Sequence, residues 1–182
     1  SSEMELVTSY ETRHADVVQD IAYDYYGKRL ASCSADQMVK IWDLKEEPTQ
    51  TETSSSSSSS SSSTPSSSLA SVNHNLAQNW NLTASWKAHT SMVCRLAWAH
   101  PEFGQVIATC SSDHQVIIWE EITLGLPWKQ KATLVDHREA VIDTKFAPKH
   151  LGLKLATCSR DGVIRIYEAA DPLNLEHWAR TE

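Results

Sequence analysis

The sequence is short of basic residues, long apolar runs and paired cysteines, and each shortage argues against a class of protein. Its 182 residues include 16 Lys and Arg against 23 Asp and Glu, a formal net charge of -7. Nucleic-acid binding needs a concentrated basic field, so this composition disfavours a nucleic-acid partner. No apolar run approaches the roughly 20 residues that cross a bilayer, so we expect no membrane insertion. The four cysteines include no Cys-x-x-Cys pair, and we expect neither a metal site nor a cofactor.

One segment has almost no apolar residues. Ser54 to Ser63 is an unbroken serine run, which Thr64-Pro65 and Ser66 to Ser68 continue. Such a stretch has no apolar surface to offset the entropy of ordering it, so we predict a disordered loop over residues 48–79. Because closure entropy grows slowly with length, such a loop can lie inside a domain.

The remaining residues contain one pattern three times. A His is followed by an Asp after 22, 24 and 24 residues, and an aromatic residue stands six residues beyond that Asp each time. The three copies begin at His14, His89 and His137 and end at Trp42, Trp119 and Tyr167. Repetition at a fixed period is typical of a repeat architecture.

Each copy has the pattern of four strands. Apolar residues nearly alternate in IAYDY, LAWAH and DTKFAP, short runs such as RLASCS precede an Asp-centred turn, and β-branched runs end in the aromatic residue. A fourth strand is predicted before each His, and LEHWART, from Leu175, is predicted as the last. We therefore predict an all-β protein of three four-stranded blades. An N-terminal strand is predicted over residues 1–13, strands a to c of blade 1 over 14–47, the end of blade 1 with blade 2 over 80–136, and blade 3 over 137–182.

The repeated residues resemble the WD40 repeat. In that family a loop His, a Ser or Thr, a turn Asp and a Trp form a hydrogen-bonded network that ties the strands of a blade together. The resemblance implies structural networks of His14, Ser32, Asp36 and Trp42; of His89, Thr109, Asp113 and Trp119; and of His137, Thr157, Asp161 and Tyr167. It covers almost the whole chain outside the serine-rich segment and implies an open or truncated β-propeller.

Two departures from the family pattern stand out. Tyr167 takes the place of Trp, and its hydroxyl lies elsewhere than an indole N–H, so the third network is expected to differ. The glycine usual before the loop His is replaced by Arg13, Ala88 and Asp136.

The same residue types could in principle form a catalytic triad. His, Ser or Thr, and Asp are the components of acyl-transfer sites. An enzyme needs one such set with a cleft, whereas three equivalent sets indicate a structural role. We therefore predict no catalytic residues, no enzyme activity and no small-molecule substrate.

The cysteines follow the repeat as well. Cys33, Cys110 and Cys158 each lie three residues before the turn Asp, and Cys94 stands alone. Equivalent positions on separate blades should not converge on a metal, so we interpret these thiols as small apolar groups in a reducing compartment. Ser1 to Met4 also lack the basic region and apolar core of a secretory signal.

Longer strings narrow the resemblance. YYGKRLASCSAD and AHPEFGQVIATCSSD resemble the related propellers of the nuclear pore and vesicle coats, the Seh-one and Sec-thirteen types, and the third repeat from Phe146 to Trp178 is closer to the Seh-one type. The resemblance implies a scaffold of the nuclear-pore outer ring (Y) complex at the nuclear envelope. A helical-solenoid nucleoporin or coat protein would complete the propeller with donated strands, and other scaffold subunits would bind it. It also implies a second role in an amino-acid-signalling complex at the lysosomal or vacuolar surface.

Three blades raise a question of closure. Propellers have roughly four to eight blades, so three cannot close a ring. We expect these residues to be a truncated product or half of a propeller completed by other sequence, with exposed apolar faces that associate. Glu5 to Arg13 is predicted to lie at an edge near a donated blade.

Other functions remain open from the sequence. One alternative is a Sec-thirteen-type coat scaffold, and another is a phosphopeptide or degron receptor. The receptor would use arginines on one face, for which the candidates are Arg95, Arg138, Arg160 and Arg165. These arginines are not arranged alike across the repeats, which counts against a receptor.

Overall fold

The computed structural model describes residues 8–45 and 80–181. The predicted loop over residues 48–79 and the first seven residues of the predicted N-terminal strand lie outside this part. In the described part of that strand, residues 8–13, the structure has no strand.

Within the described residues, twelve strands form three four-stranded antiparallel sheets, which we call blades 1, 2 and 3. Blade 1 contains β1 Val18–Tyr23, β2 Arg29–Ser34, β3 Met38–Leu44 and β4 Trp80–Lys87. Blade 2 contains β5 Val93–Trp98, β6 Val106–Ser111, β7 Val116–Glu120 and β8 Lys129–Leu134. Blade 3 contains β9 Val141–Phe146, β10 Lys154–Ser159, β11 Ile164–Asp171 and β12 Asn174–Thr181. Within each blade the strands lie in chain order.

Two short 3-10 helices replace a tight turn between the first two strands of blades 2 and 3. They span Pro101–Phe103 and Lys149–Leu151, and each ends at a glycine with positive φ, Gly104 at 92° or Gly152 at 83°. Glycine suits this conformation because it has no Cβ to clash with the following carbonyl. The two helices reflect the two additional residues in the second and third repeats.

The register repeats from blade to blade. Ala31 on β2 lies opposite Ala22 and Ile41, and Ala108 on β6 lies opposite Ala97 and Ile118. In both blades the register between the third and fourth strands shifts just before the Trp. Residues at equal sequence spacing therefore reach the same face of each sheet.

The blades pack face to face through apolar side chains. Between blades 1 and 2, Ala31, Cys33, Val39 and Ile41 share one core with Leu96 and other residues of blade 2. Between blades 2 and 3, the equivalent Ala108, Cys110, Val116 and Ile118 share a core with Leu155 and Tyr167. The small Ala and Cys side chains allow close approach, and each fully buried Val or Ile contributes about 1.5 to 3 kcal/mol.

Blade 3 leaves the corresponding surface exposed. Ala156, Cys158, Ile164 and Ile166 occupy these register positions and form what we call the free face. Ile164 is 71% exposed and Ile166 is 45% exposed, whereas their equivalents in blades 1 and 2 are fully buried. The three sheets do not close a ring, which confirms the prediction of an all-β, open propeller.

Candidate functional site

Blade 2 contains the complete four-residue network. His89 precedes β5, Thr109 lies on β6, Asp113 lies in the next turn and Trp119 lies on β7. His89 Nδ1 is 2.9 Å from Asp113 Oδ2, and Nε2 is 2.8 Å from Thr109 Oγ1. The Trp119 indole N–H donates to the same Oγ1 over 3.0 Å. One hydroxyl thereby connects the loop before the blade to its second and third strands.

Blade 1 has the same arrangement with serine in place of threonine. His14 Nδ1 lies 2.9 Å from Asp36 Oδ2, and its Nε2 lies 2.9 Å from Ser32 Oγ. The Trp42 indole N–H donates to Ser32 Oγ over 3.1 Å. All four predicted residues are brought together here, as they are in blade 2.

The carboxylates determine the proton positions on both imidazoles. An ionised carboxylate accepts only, so Nδ1–H donates to Asp and neutral Nε2 accepts from the hydroxyl. Burial by itself raises the pKa of Asp113, but the hydrogen bonds from His89 and two backbone N–H groups lower it below its ordinary value. The pKa of Asp36 is lowered in the same way, by the Met38 N–H, His14 and the Ala15 N–H acting against burial.

Blade 3 departs from this arrangement. His137 Nε2 lies 2.7 Å from Thr157 Oγ1, but Nδ1 is 3.8 Å from Asp161 Oδ2. Arg165 lies between them, with Nη1 2.7 Å from His137 Nδ1 and 2.9 Å from Asp161 Oδ2. The Tyr167 hydroxyl donates to Asp136 over 2.9 Å. Of the four predicted residues, His137 and Thr157 are therefore bonded directly, Asp161 joins through Arg165, and Tyr167 bonds outside the set.

An arginine that was not predicted from the sequence lies at the interface of blades 1 and 2. Arg29 Nε donates to Asp43 over 2.7 Å, and Nη1 donates to Gln105 over 2.9 Å and to Glu121. Burial lowers the pKa of Arg29, but the hydrogen bonds that it donates to Glu121 and Asp43 outweigh burial and raise the pKa above its ordinary value. The available signal was a charged residue beginning the otherwise apolar, small-residue run RLASCS.

The residues before β1 cover part of blade 1. The Tyr10 and Trp42 ring centroids are 5.1 Å apart, and Lys40 Nζ donates to the carbonyls of Thr12 and Arg13 over 2.9 and 2.7 Å. Arg13, which replaces the usual glycine, has a φ of 52°. This segment therefore packs on the third strand of blade 1.

The hydroxyl of the blade 2 network lies inside the protein. Thr109 is fully buried, and His89 is only 3% exposed. That hydroxyl also holds the Trp119 N–H, whereas a nucleophile must be reachable by a reacting carbon. Within residues 8–45 and 80–181, no group of three or more His, Cys, Asp or Glu side chains could hold a metal ion. No helix in the same residues is long and apolar enough to cross a membrane.

The four candidate receptor arginines have different surroundings. Arg95 donates to the Gln19 and Cys94 carbonyls, and Arg165 belongs to the blade 3 network. Arg138 and Arg160 are exposed. Two of the four are therefore engaged in contacts inside the protein.

The geometry of the three blades by itself defines a class of protein. Three stacked four-stranded blades with His, hydroxyl and Asp groups at equivalent positions are the units of an open β-propeller. The family model described as "WD domain, G-beta repeat" matches residues 4–43, 80–120 and 128–168. The chain belongs to the WD40 repeat family.

Curated relatives narrow the similarity further. The chain is 43% identical to Nucleoporin SEH1 of Osmerus mordax and to Nucleoporin SEH1-A of Xenopus laevis, and 42% identical to Nucleoporin SEH1 of Homo sapiens. Each alignment covers 97% of this chain. The chain spans 42 to 43% of the length of these relatives. The resemblance to Seh-one-type nucleoporins is thereby confirmed.

Proposed function

We propose that this chain is part of a non-catalytic scaffold propeller of the nuclear pore complex, in its outer-ring (Y) subcomplex at the nuclear envelope. A helical-solenoid nucleoporin binds it by completing the propeller with a donated blade. The observation that carries the proposal is the 42 to 43% identity to Nucleoporin SEH1 proteins over 97% of the chain.

The open blade faces support a role in binding other protein segments. On blade 1, Ile21 lies opposite Ser32, as Leu96 lies opposite Thr109 on blade 2. Leu96 is buried against blade 1, whereas Ile21 is 58% exposed. An apolar position that is buried in one blade and exposed in its equivalent indicates a surface suited to a further blade.

The contacts of the network hydroxyls support a scaffold over an enzyme. Each hydroxyl of the networks accepts a hydrogen bond from within its own blade or is held by its His. These contacts stabilise the blades, and no sequence-predicted residue is left for chemistry.

Co-purification from the full-length protein tests the proposal. We expect the wild type to retain a helical-solenoid nucleoporin and to locate to the nuclear rim, and Ile21→Glu to lose the solenoid. Leu173→Glu is the matched control, since Leu173 is 96% exposed in the turn between β11 and β12. Both variants introduce the same carboxylate at an exposed apolar position.

Three outcomes would count against the proposal. Vesicle-coat subunits in place of nucleoporins would favour the Sec-thirteen-type function, and binding of an acidic phosphopeptide that Arg138→Ala abolishes would favour a receptor. Equal retention of the solenoid by both variants would remove blade 1 from the docking surface. Recovery of amino-acid-signalling subunits beside the solenoid would extend the proposal to a second complex.

A further inference from the structure

The three equivalent histidines differ in one neighbour. The residue two positions before the third-strand aromatic is Lys40 in blade 1, Ile117 in blade 2 and Arg165 in blade 3. Each of these residues lies on the third strand of its blade. The side chain at this position decides what can lie beside the imidazole Nδ1.

In blades 1 and 2 this position leaves the His–Asp contact undisturbed. Ile117 has no polar group, and Lys40 Nζ donates instead to the carbonyls of Thr12 and Arg13. His14 and His89 consequently keep Nδ1 within 2.9 Å of a carboxylate oxygen. That carboxylate accepts from Nδ1–H whether the ring is neutral or protonated.

In blade 3 the hydrogen-bond direction is reversed. A guanidinium only donates, so His137 Nδ1 accepts from Arg165 Nη1 over 2.7 Å. The ring proton then lies on Nε2 and is donated to Thr157 Oγ1 over 2.7 Å. The Thr157 hydroxyl is left to donate to the Arg165 carbonyl over 3.3 Å. His137 therefore has the opposite tautomer to His14 and His89.

We propose that His137 and Arg165 form an acid-sensitive latch that is specific to blade 3. A proton added at Nδ1 turns the acceptor into a donor and places a cationic ring against the guanidinium, so that contact breaks. The latch lies between two loops that are also joined by two other hydrogen bonds: the Arg138 N–H donates to Asp161, and the Arg160 N–H donates to the Ala140 carbonyl. Protonation loosens residues 136–140 and 160–163, which form one end of the blade.

The charged surroundings of the ring favour its neutral form. Burial and then the charge of Arg165 lower the pKa of His137 below its ordinary value, against the opposing effects of Asp161 and Asp136. Arg165 is close to Asp161, and Asp136 accepts from Tyr167, so both carboxylates have partners of their own. The blade 2 residues that share a core with Leu155 and Tyr167 include the thiols of Cys94 and Cys110 beside apolar side chains.

The direction of the pH effect follows from that lowered pKa. Below about pH 6.5, the unfolded chain binds a proton at this His more readily than the folded blade does. The contribution of neutral His137 to stability is therefore present above that pH and is lost as the pH falls below it.

The tautomer is the first test, and it needs no variant. Nitrogen-15 NMR of the histidine side chains at about pH 7.5 should show His137 protonated at Nε2. His14 and His89 should be protonated at Nδ1. A proton on Nδ1 of His137 would overturn the proposal.

Hydrogen exchange tests the latch itself. When the pH is lowered from about 7.5 to about 5.5, the exchange rates of the amides of residues 136–140 and 160–163 should rise, after correction for intrinsic rates. The rise should be several-fold larger than in the equivalent loops of blade 2. Arg165→Ile, which reproduces Ile117, should abolish that difference. An equal response in all blades, or its persistence in Arg165→Ile, would contradict the latch.

Discussion

Arg29 on β2 and Glu121, just after β7, form a buried ion pair that joins blade 1 to blade 2. The guanidinium also lies 5.8 Å from the ring centroids of Trp98 and Trp128. A charge in such a place is tolerated only when it is paired. The pair therefore fixes how two blades meet.

Removing the Glu121 charge should weaken the protein substantially. We expect Glu121→Gln to lower the free energy of unfolding by about 2 kcal/mol, because Arg29 keeps Asp43 but loses a buried charged acceptor. Urea denaturation measures the change. Glu120→Gln is the control: Glu120 pairs with Lys131 over 3.5 Å at the surface. It should cost less than about 1 kcal/mol, and equal losses in the two variants would refute the interfacial role.

The shared hydroxyl of blade 2 can be removed without changing side-chain shape. Thr109→Val should cost about 2 to 3 kcal/mol, because the Trp119 N–H and His89 Nε2 both lose a buried partner. Thr109→Ser keeps the hydroxyl, as Ser32 does in blade 1, and should cost about 1 kcal/mol or less. Thermal and urea unfolding distinguish the two, and a smaller loss of stability in Thr109→Val than in Thr109→Ser would contradict the role of the hydroxyl.

The residue after each turn Asp has a positive φ, so gaining or losing a glycine there should change the stability of the protein. Gln37, His114 and Gly162 stand at equivalent positions with φ of 73°, 71° and 78°. A Cβ at Gly162 would contact nothing within 4 Å, so Gly162→Ala costs only backbone strain, about 1 kcal/mol. His114→Gly should relieve the same strain and stabilise by about 0.5 kcal/mol. Urea denaturation should show a lower free energy of unfolding for Gly162→Ala and a higher one for His114→Gly. Changes in the same direction would contradict the conformational explanation.

The equivalent cysteines should differ in reactivity. Burial raises the pKa of Cys33 and of Cys110, and both side chains are inaccessible between blades. Cys158 is partly exposed on the free face of blade 3. Iodoacetamide labelling followed by mass spectrometry should modify Cys158 first, because alkylation needs access and thiolate. Simultaneous modification of all three would indicate that the interfaces between blades open.

Much of the blade architecture was predictable from spacing. The strands and the turn Asp residues were predicted, because side chains alternate along a strand and equal spacing leads to equal faces. The networks of blades 1 and 2 were implied by the resemblance to the WD40 repeat. A strand was predicted over residues 1–13, but residues 8–13, the described part, form no strand. There Tyr10 packs on Trp42, and the backbone carbonyls of Thr12 and Arg13 accept from Lys40. A local strand pattern does not supply the neighbouring strand that such a segment needs.

The third network shows the limit most clearly. From the sequence, Tyr167 was expected to differ from the usual Trp, and Arg165 was one of four candidate ligand-binding arginines. The position of neither side chain was predicted. In the folded blade, Arg165 reaches between His137 and Asp161, while Tyr167 bonds to Asp136. Long or hydroxyl-bearing side chains can reach several partners, and their choice depends on distances that only the packed strands define.

By itself, the sequence determined that this chain contains three repeats of the WD40 type, since a periodic pattern of apolar and network residues specifies strands, faces and register. The tertiary structure alone decided how the blades are joined and where they differ. The Arg29–Glu121 pair links residues 92 positions apart, and the reversed tautomer of His137 depends on one guanidinium. Both arise because buried charges must find partners in space, irrespective of their separation along the chain.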